Sequence, residues 1–200
     1  MSNYESGIDA IIEQFEQLPS IGHKKAEQLT FHILEQMSED EVSKFCETIL
    51  TGKKSIKLCP ICQNLTDKTP CKICASPRRN THTICVVERP EDVNIIESTN
   101  EFHGLYHVLH GALSPMDNIG PDDIKIKELL ERVGDSNIEE IIIATNPTIN
   151  GTATASYIGK LLAPFDIKVT RIAHGIPYGT DLSYIDKTTI SVALNSRKEI

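Results

Sequence analysis

Tryptophan is absent from this sequence, and aromatic residues make up only 5% of its 200 residues. No apolar run approaches the roughly 20 residues that a membrane-spanning helix needs. The opening MSNYESGIDA lacks the basic start and the apolar core of a secretory signal, so we expect a cytoplasmic protein. Thiols stay reduced in that compartment, which argues against a fold held together by disulfides.

Positive charge is also scarce, since 20 lysines and arginines face 28 acidic residues and leave a net charge of -8. This balance argues against a protein that coats nucleic acid by bulk attraction. Residues 53–79 nevertheless hold seven basic residues and a single acid, Asp67. A local basic face of this kind fits either contact with DNA or an ordinary solvated surface.

Four of the six cysteines stand in the segment CPICQNLTDKTPCKIC, namely Cys59, Cys62, Cys71 and Cys74. Each C-x2-C pair predicts a tight turn that presents two thiolates to one point, and two such turns complete the tetrahedral shell of a zinc ion. Four sulfurs leave no position for water, so one structural zinc is predicted, with two disulfides or four unrelated thiols as alternatives. Cys46 and Cys85 lie in apolar patterns and are predicted to be reduced core residues.

Residues 1–54 are predicted to form a small unit of three helices, the third beginning at a capping box of Ser38 and Glu41. Gly22 lies in the turn between the first two helices and precedes Lys24 and Lys25. A glycine there lets the backbone approach a phosphate, the free amides and the dipole of the second helix favour an anion, and the lysines add charge. The segment resembles the helix-hairpin-helix motif, which binds the DNA backbone without reading sequence. An ordinary αα-hairpin is the alternative.

Beyond the cysteines, strand and helix patterns alternate and predict an α/β unit with a mainly parallel sheet. The predicted strands are Thr81–Val87, residues 105–109, Ile138–Ala144 and Ile167–Ala173. The predicted helices begin at Pro90, at Asp122 and at Thr152. The segment from Gly175 is looser, and from Thr188 it is either helical or strand-like.

Chemistry in such a sheet gathers at the carboxyl ends of its strands, where Glu88 and residues 146–152 stand. This arrangement resembles a Toprim domain, in which a glutamate and a D-x-D pair hold Mg2+. Glu88 matches the glutamate, but Asn150 and Thr152 replace the acids, and one carboxylate with neutral oxygens is a poor Mg2+ site. Glu88 is therefore predicted to be a solvated or hydrogen-bonded acid. A second, weaker metal candidate is the group of histidines His103, His107 and His110.

Three longer stretches resemble the RecR family of recombination mediators: GLYHVLHGALSPMDNIGPDDI (104–124), ATNPTINGTATASYI (144–158) and RIAHGIPYGTDLSYID (171–186). The resemblance covers nearly the whole chain. It implies a ring-like homo-oligomer, most simply a tetramer, that encircles or clamps DNA and acts with RecO and RecF to load recombinase at gaps. No catalytic activity is implied.

The chain departs from that pattern at three places. Relatives usually carry glycine where Ser20 stands, and often arginine where Gln28 stands, which puts part of the DNA contact in question. The neutral Asn150 and Thr152 put in question any metal or partner contact through their loop.

These observations predict a multidomain protein of α+β and α/β class. Its predicted domains are a helix-hairpin-helix unit (1–54), a zinc finger (55–79), a Toprim domain (80–174) and a C-terminal assembly segment (175–200). The predicted DNA contacts are Gly22, Lys24 and Lys25, with no sequence preference. The predicted function is a non-enzymatic DNA-binding mediator of recombinational repair. A Mg2+-dependent nuclease or topoisomerase-like enzyme and a zinc-containing scaffold that binds only proteins are the alternatives.

Overall fold

The computed structural model describes residues 4–134, 137–173 and 175–197, and the chain divides into two compact units, residues 1–56 and residues 57–200. The first unit has three helices: α1 (Ser6–Glu16), α2 (His23–Gln36) and α3 (Glu39–Ser55). Helices α1 and α2 pack against each other and bury Ile12, Ala26 and Thr30. The three predicted helices are therefore present. No described helix is long and apolar enough to cross a bilayer.

Helix α3 begins at the predicted capping box. Glu41 N donates to Ser38 Oγ at 3.3 Å, and Ser38 N donates to Glu41 Oε2 at 2.8 Å. None of the residues of α3 is buried, and Phe45 and Ile49 on its apolar side are about half exposed. Cys46 is exposed as well, so its prediction as a core residue is wrong. The apolar pattern around Cys46 belongs to a helix face that the unit does not cover.

The second unit begins with a small antiparallel pair, β1 (Lys57–Leu58) and β2 (Leu65–Thr66). A four-stranded parallel sheet follows, formed by β3 (Thr83–Val87), β4 (Leu105–Val108), β5 (Glu140–Ala144) and β6 (Lys168–Arg171). Its helices are α4 (Pro90–Ser98), α5 (Ile126–Gly134), α6 (Ile149–Leu162) and α7 (Lys187–Asn195). Two short 3-10 turns lie at Pro115–Asp117 and Leu182–Tyr184. The predicted parallel α/β sheet is confirmed.

The strand order β4-β3-β5-β6 places the change of winding direction between β3 and β5. From β3 the chain crosses through α4 to one edge, and from β5 it crosses through α6 to the other. Ligands of open α/β sheets bind where the winding changes, at the carboxyl ends of the two central strands. Glu88 follows β3 at that point, and Thr145 and Asn146 follow β5.

Two helices begin at residues other than those predicted. Helix α5 begins at Ile126 and not at Asp122, because the Asp123 carboxylate accepts a hydrogen bond from Gly120 N at 2.8 Å and so closes a turn. Helix α6 begins at Ile149, before the predicted Thr152. Thr148 Oγ1 accepts from Gly151 N at 3.0 Å and caps that earlier turn.

Candidate functional site

Two short turns shape the cysteine segment. In the first, Cys59 N donates to Asn64 O at 2.8 Å, and Gln63 N donates to Cys59 O at 2.9 Å. Gln63 has a φ of 60° in the left-handed region, which reverses the chain directly after Cys62. In the second turn, Ala75 N donates to Cys71 O at 2.9 Å. These bonds make each C-x2-C pair a knuckle with both sulfurs on its inner side.

The two knuckles bring the four sulfurs together as predicted. All four Sγ atoms lie within 4.8 Å of one another, and Cys62 Sγ lies 3.6 Å from Cys71 Sγ. A tetrahedral zinc ion with Zn–S bonds of about 2.3 Å sets its sulfurs about 3.8 Å apart, so the cluster is the right size for one zinc ion. Cys59, Cys62 and Cys71 are buried, which keeps water from the cluster. Backbone amides of Cys71 and Cys74 approach the sulfurs of Cys59 and Cys71 at 3.5 Å.

The ionisation of the cluster also fits a cation. A hydrogen bond from Cys74 lowers the pKa of the Cys62 thiol to about 5. The same hydrogen bond raises the pKa of Cys74, and burial raises that of Cys71. Four negative charges in so small a volume repel one another, and a divalent ion at their centre offsets much of that repulsion.

The first knuckle is fastened to the outer edge of the sheet. Val108 N, on edge strand β4, donates to Cys62 O at 2.9 Å. His110 Nε2 lies 2.6 Å from Gln63 O, and His107 Nε2 lies 2.7 Å from Lys125 O. Two of the three histidines are thus occupied by backbone carbonyls. Among the residues that the structure describes, the four cysteines form the one group of three or more candidate ligands close enough to bind a metal.

Glu88 lies at the predicted strand end but is turned inward. It is only 6% exposed, and Asn146 N and Asn146 Nδ2 donate to its two carboxylate oxygens at 2.8 Å and 2.6 Å. A carboxylate that accepts two such hydrogen bonds has a structural role here, as a clasp between the ends of β3 and β5. Sequence reasoning missed Asn146 as its partner; the available signal was an amide directly after the central strand.

The loop after β5 is held closed around Gly151. A Cβ atom at Gly151 would lie 2.1 Å from Asn146 O and 2.6 Å from Glu88 Oε1, so no side chain fits there. Asn150 O accepts a hydrogen bond from Thr154 Oγ1 at 2.7 Å. Thr152 Oγ1 accepts one from Arg171 Nη2 at 3.2 Å. The loop is thus tied by the Glu88 carboxylate, by neutral groups and by one arginine.

The turn between α1 and α2 presents the features expected of a phosphate-binding hairpin. Gly22 is the N-cap of α2, no side chain caps that helix, and nothing lies within 4 Å of a Cβ built on Gly22. Lys24 and Lys25 are exposed, and none of the ion pairs among the described residues involves either of them. His23 Nδ1 lies 2.7 Å from Glu16 Oε1 and links the two helices. The uncapped start of α2 and two exposed lysines therefore lie next to each other in this turn.

The two arginines at the end of the basic segment 53–79 differ, since one is paired with an acid and the other is exposed. Arg79 Nη1 donates to Glu97 Oε1 at 2.8 Å, Arg79 Nη2 bonds to Glu97 Oε2, and Nη1 also reaches Phe102 O and Gly104 O at 3.3 Å. The side chain of Arg79 is only 17% exposed, so it cannot serve as a free contact for a phosphate. Arg78 is exposed.

Comparison with protein families agrees with this architecture segment by segment. The RecR helix-hairpin-helix model matches residues 8–51, and the RecR four-cysteine zinc finger model matches residues 56–76. The Toprim domain model matches residues 82–173, and the RecR C-terminal model matches residues 175–198. The four matches follow one another in the expected order and cover most of the sequence. With these domains in this order, the chain belongs to the RecR family.

Proposed function

We propose that this chain is a non-enzymatic, zinc-containing mediator of recombinational repair that binds DNA through Gly22, Lys24 and Lys25. Family membership supports the role of mediator in recombination and repair. The observation that carries the DNA contact is the uncapped start of α2, with open space at Gly22 and two exposed lysines beside it. Helix starts of this kind bind phosphate through amides and the helix dipole, which gives affinity without base specificity.

The remaining parts of the proposal follow the family resemblance. Cys59, Cys62, Cys71 and Cys74 bind one zinc ion that holds the finger together. The protein assembles as a ring of identical subunits, a tetramer, and acts with RecO and RecF to load recombinase on gapped DNA. The four-part division of the chain and a cytoplasmic location belong to the same proposal.

Gly22→Ala tests the DNA contact without changing charge. The added Cβ enters open space in the free protein, so folding is retained, whereas it holds a phosphate away from the amides of α2. We expect fluorescence anisotropy with DNA of random sequence to show weaker binding for this variant. Gly7→Ala is the matched control, because Gly7 also has nothing within 4 Å of a built Cβ. Equal binding by the two variants and the unchanged protein would remove the hairpin from the DNA interface.

The competing enzyme proposal requires Mg2+ at Glu88. Against it stand the burial of that carboxylate and its two bonds to Asn146. Incubation with supercoiled and nicked DNA in the presence of Mg2+ separates the two proposals. We expect no change in the DNA; turnover that disappears in Glu88→Gln would favour the enzyme.

A further inference from the structure

The outer edge of β4 holds two contacts side by side. Leu109 N donates to Val87 O on the inner side, while Val108 N faces outward and donates to Cys62 O. Two residues earlier, Tyr106 O accepts from Arg132 Nη1 at 2.6 Å. Residues two apart on a strand lie about 7 Å apart along the same edge. Arg132, from helix α5, therefore reaches the edge of the sheet next to the first knuckle.

Arg132 is half-buried at this position, and part of its guanidinium is fully enclosed. Its neighbours on α5, Leu129 and Val133, belong to the same buried core cluster as Cys59, Cys62 and Cys71. Its Nη2 atom is buried and has no hydrogen-bond partner among the described residues. A buried cationic group with an unmet donor is costly unless an opposite charge lies nearby.

The cysteine cluster provides that charge. Four thiolates and one Zn2+ ion sum to a net charge of -2, and the cluster lies in the same core. Burial lowers the pKa of Arg132, and the charges of the four cysteines act in the opposite direction, the largest from Cys74. Lys125, which directly precedes helix α5, is already paired with Glu128 at 2.7 Å.

We propose that the partly buried Arg132 is the counter-charge of the zinc centre and steadies the edge of β4 to which the first knuckle is bonded, so that zinc retention depends on this residue of the Toprim domain. The bond from Nη1 to Tyr106 O places the guanidinium at the edge of β4, beside the bond from Val108 N to Cys62 O, and its Nη2 donor is unmet there by the residues that the structure describes. Removing its charge leaves the cluster's net charge of -2 uncompensated, and the edge of β4 loses a bond next to the one that holds the knuckle. The inference rests on the proposed zinc site and is independent of DNA binding.

Zinc release from the full-length protein to a chromogenic chelator tests this inference. We expect Arg132→Gln to release zinc roughly 10- to 100-fold faster than the unchanged protein, the usual effect of removing a group that supports metal ligands. Arg132→Lys keeps the charge and is expected to release zinc at nearly the original rate. Arg78→Gln, an exposed arginine beside the finger, is expected to change nothing.

Arg79→Gln controls for general destabilisation, since Arg79 is a largely buried arginine held by Glu97 rather than by the cluster. It should lower the melting temperature and leave zinc release within about twofold of the unchanged protein. The inference is overturned if Arg132→Gln releases zinc at the original rate, or if Arg79→Gln accelerates release equally. If Arg132→Gln does not fold, the rate of zinc release from Arg132→Lys becomes the test. Release ten times faster than from the unchanged protein would then also overturn the inference. Unchanged protein purified without zinc would instead refute the zinc site itself.

Hydrogen exchange at the amide of Val108 gives a second measurement. Its bond to Cys62 O should break when the chelator removes zinc from the unchanged protein. In zinc-loaded Arg132→Gln, the amide should already exchange faster than in Arg78→Gln. Equal protection of this amide in the two variants would show that Arg132 does not help to hold the knuckle at the edge of β4.

Discussion

Asn146 occupies both carboxylate oxygens of Glu88, through its backbone N–H to Oε1 at 2.8 Å and its side-chain amide to Oε2 at 2.6 Å. The two residues follow the central strands β3 and β5, so this pair lies at the place where an α/β sheet would bind a ligand. Both oxygens of an acid that a Toprim enzyme would use to hold Mg2+ thus accept hydrogen bonds from Asn146.

Glu88→Gln should therefore lower stability. A glutamine presents an amide donor where Asn146 offers two donors, which leaves at least one buried hydrogen bond unmade and costs roughly 2 kcal/mol. Differential scanning calorimetry should show a lower melting temperature, with Glu101→Gln, an exposed acid, as the control. Adding Mg2+ should leave the melting temperature of the unchanged protein where it was. An unaltered melting temperature for Glu88→Gln would contradict the clasp.

The zinc centre leads to two predictions, one about the metal content of the protein and one about the folding of cysteine variants. Freshly purified, unchelated protein should hold one zinc per chain, and Cys59→Ala or Cys74→Ala should lose zinc and unfold or aggregate locally. The reason is that binding energy at a structural site is also folding energy. Cys46→Ala, at an exposed cysteine, should keep its zinc. Elemental analysis far below one metal per chain would contradict the site.

The uncovered apolar side of α3 predicts assembly between copies of the chain. Phe45, Ile49 and Leu50 are 47%, 55% and 59% exposed, too much apolar surface for a helix that faces only water. Deleting residues 1–54 should reduce the subunit number, and Ile49→Glu should weaken the same assembly. Thr51→Glu, on the opposite side of the helix, is the control. Light scattering after chromatography measures the mass, and an unchanged subunit number after the deletion would exclude this interface.

His107 predicts a pH dependence. Burial lowers its pKa from 6.5 to about 4, opposed by the Lys125 carbonyl and the charge of Glu128, and reinforced by Arg132 and His110. Between those two values the unfolded chain binds more protons than the folded one. This contribution to stability is thus complete above pH 6.5 and disappears as the pH falls to about 4, by roughly 3 kcal/mol in all.

His107→Gln retains a donor for the Lys125 carbonyl but cannot titrate. Its melting temperature should fall less than that of the unchanged protein when the pH is lowered from 7 to 5. Zinc loss at low pH affects both proteins, so the difference between them is the relevant quantity. Parallel pH profiles would show that His107 does not contribute.

Local chemistry allowed much of this architecture to be predicted from sequence. The C-x2-C spacing predicted the cluster, the Ser38–Glu41 box placed the start of α3, and alternation predicted the parallel sheet. Contacts between distant segments were beyond such reasoning. Glu88 accepts a hydrogen bond from an amide 58 residues away, and Arg132 donates one to Tyr106 O across 26 residues. The prediction that Cys46 is a core residue was wrong because periodicity shows that a helix has an apolar face but not whether another element covers that face.

The last prediction concerns the hairpin between α1 and α2, and first the backbone conformation of Ser20 in that hairpin. Its φ of 65° lies in the left-handed region, which fits the glycine that relatives use at this position. A residue with a Cβ is destabilised by about 1–2 kcal/mol in this conformation, and glycine removes that cost. Ser20→Gly should therefore raise the melting temperature and preserve or improve DNA binding.

In the proposed DNA interface, Lys24 and Lys25 of the same hairpin act through their charge. Replacing both with Glu should weaken binding to every DNA sequence about equally, since phosphate contacts carry no base information. The dependence of log affinity on log salt should flatten by roughly one unit for each phosphate that is no longer bound. Single replacements should be milder, because the proposed oligomer would repeat the site and bind with avidity.

Gln28→Arg, on the exposed side of α2, is the variant of opposite sign and should steepen the salt dependence of DNA binding. Titrations of the same random-sequence DNA at several salt concentrations compare it with the double glutamate variant. A folded, assembled double variant with unaltered affinity and salt slope would end the hairpin proposal. The DNA site would then be sought on the free lysines and Arg78 of the zinc-finger flank, but not on Arg79, which Glu97 already holds.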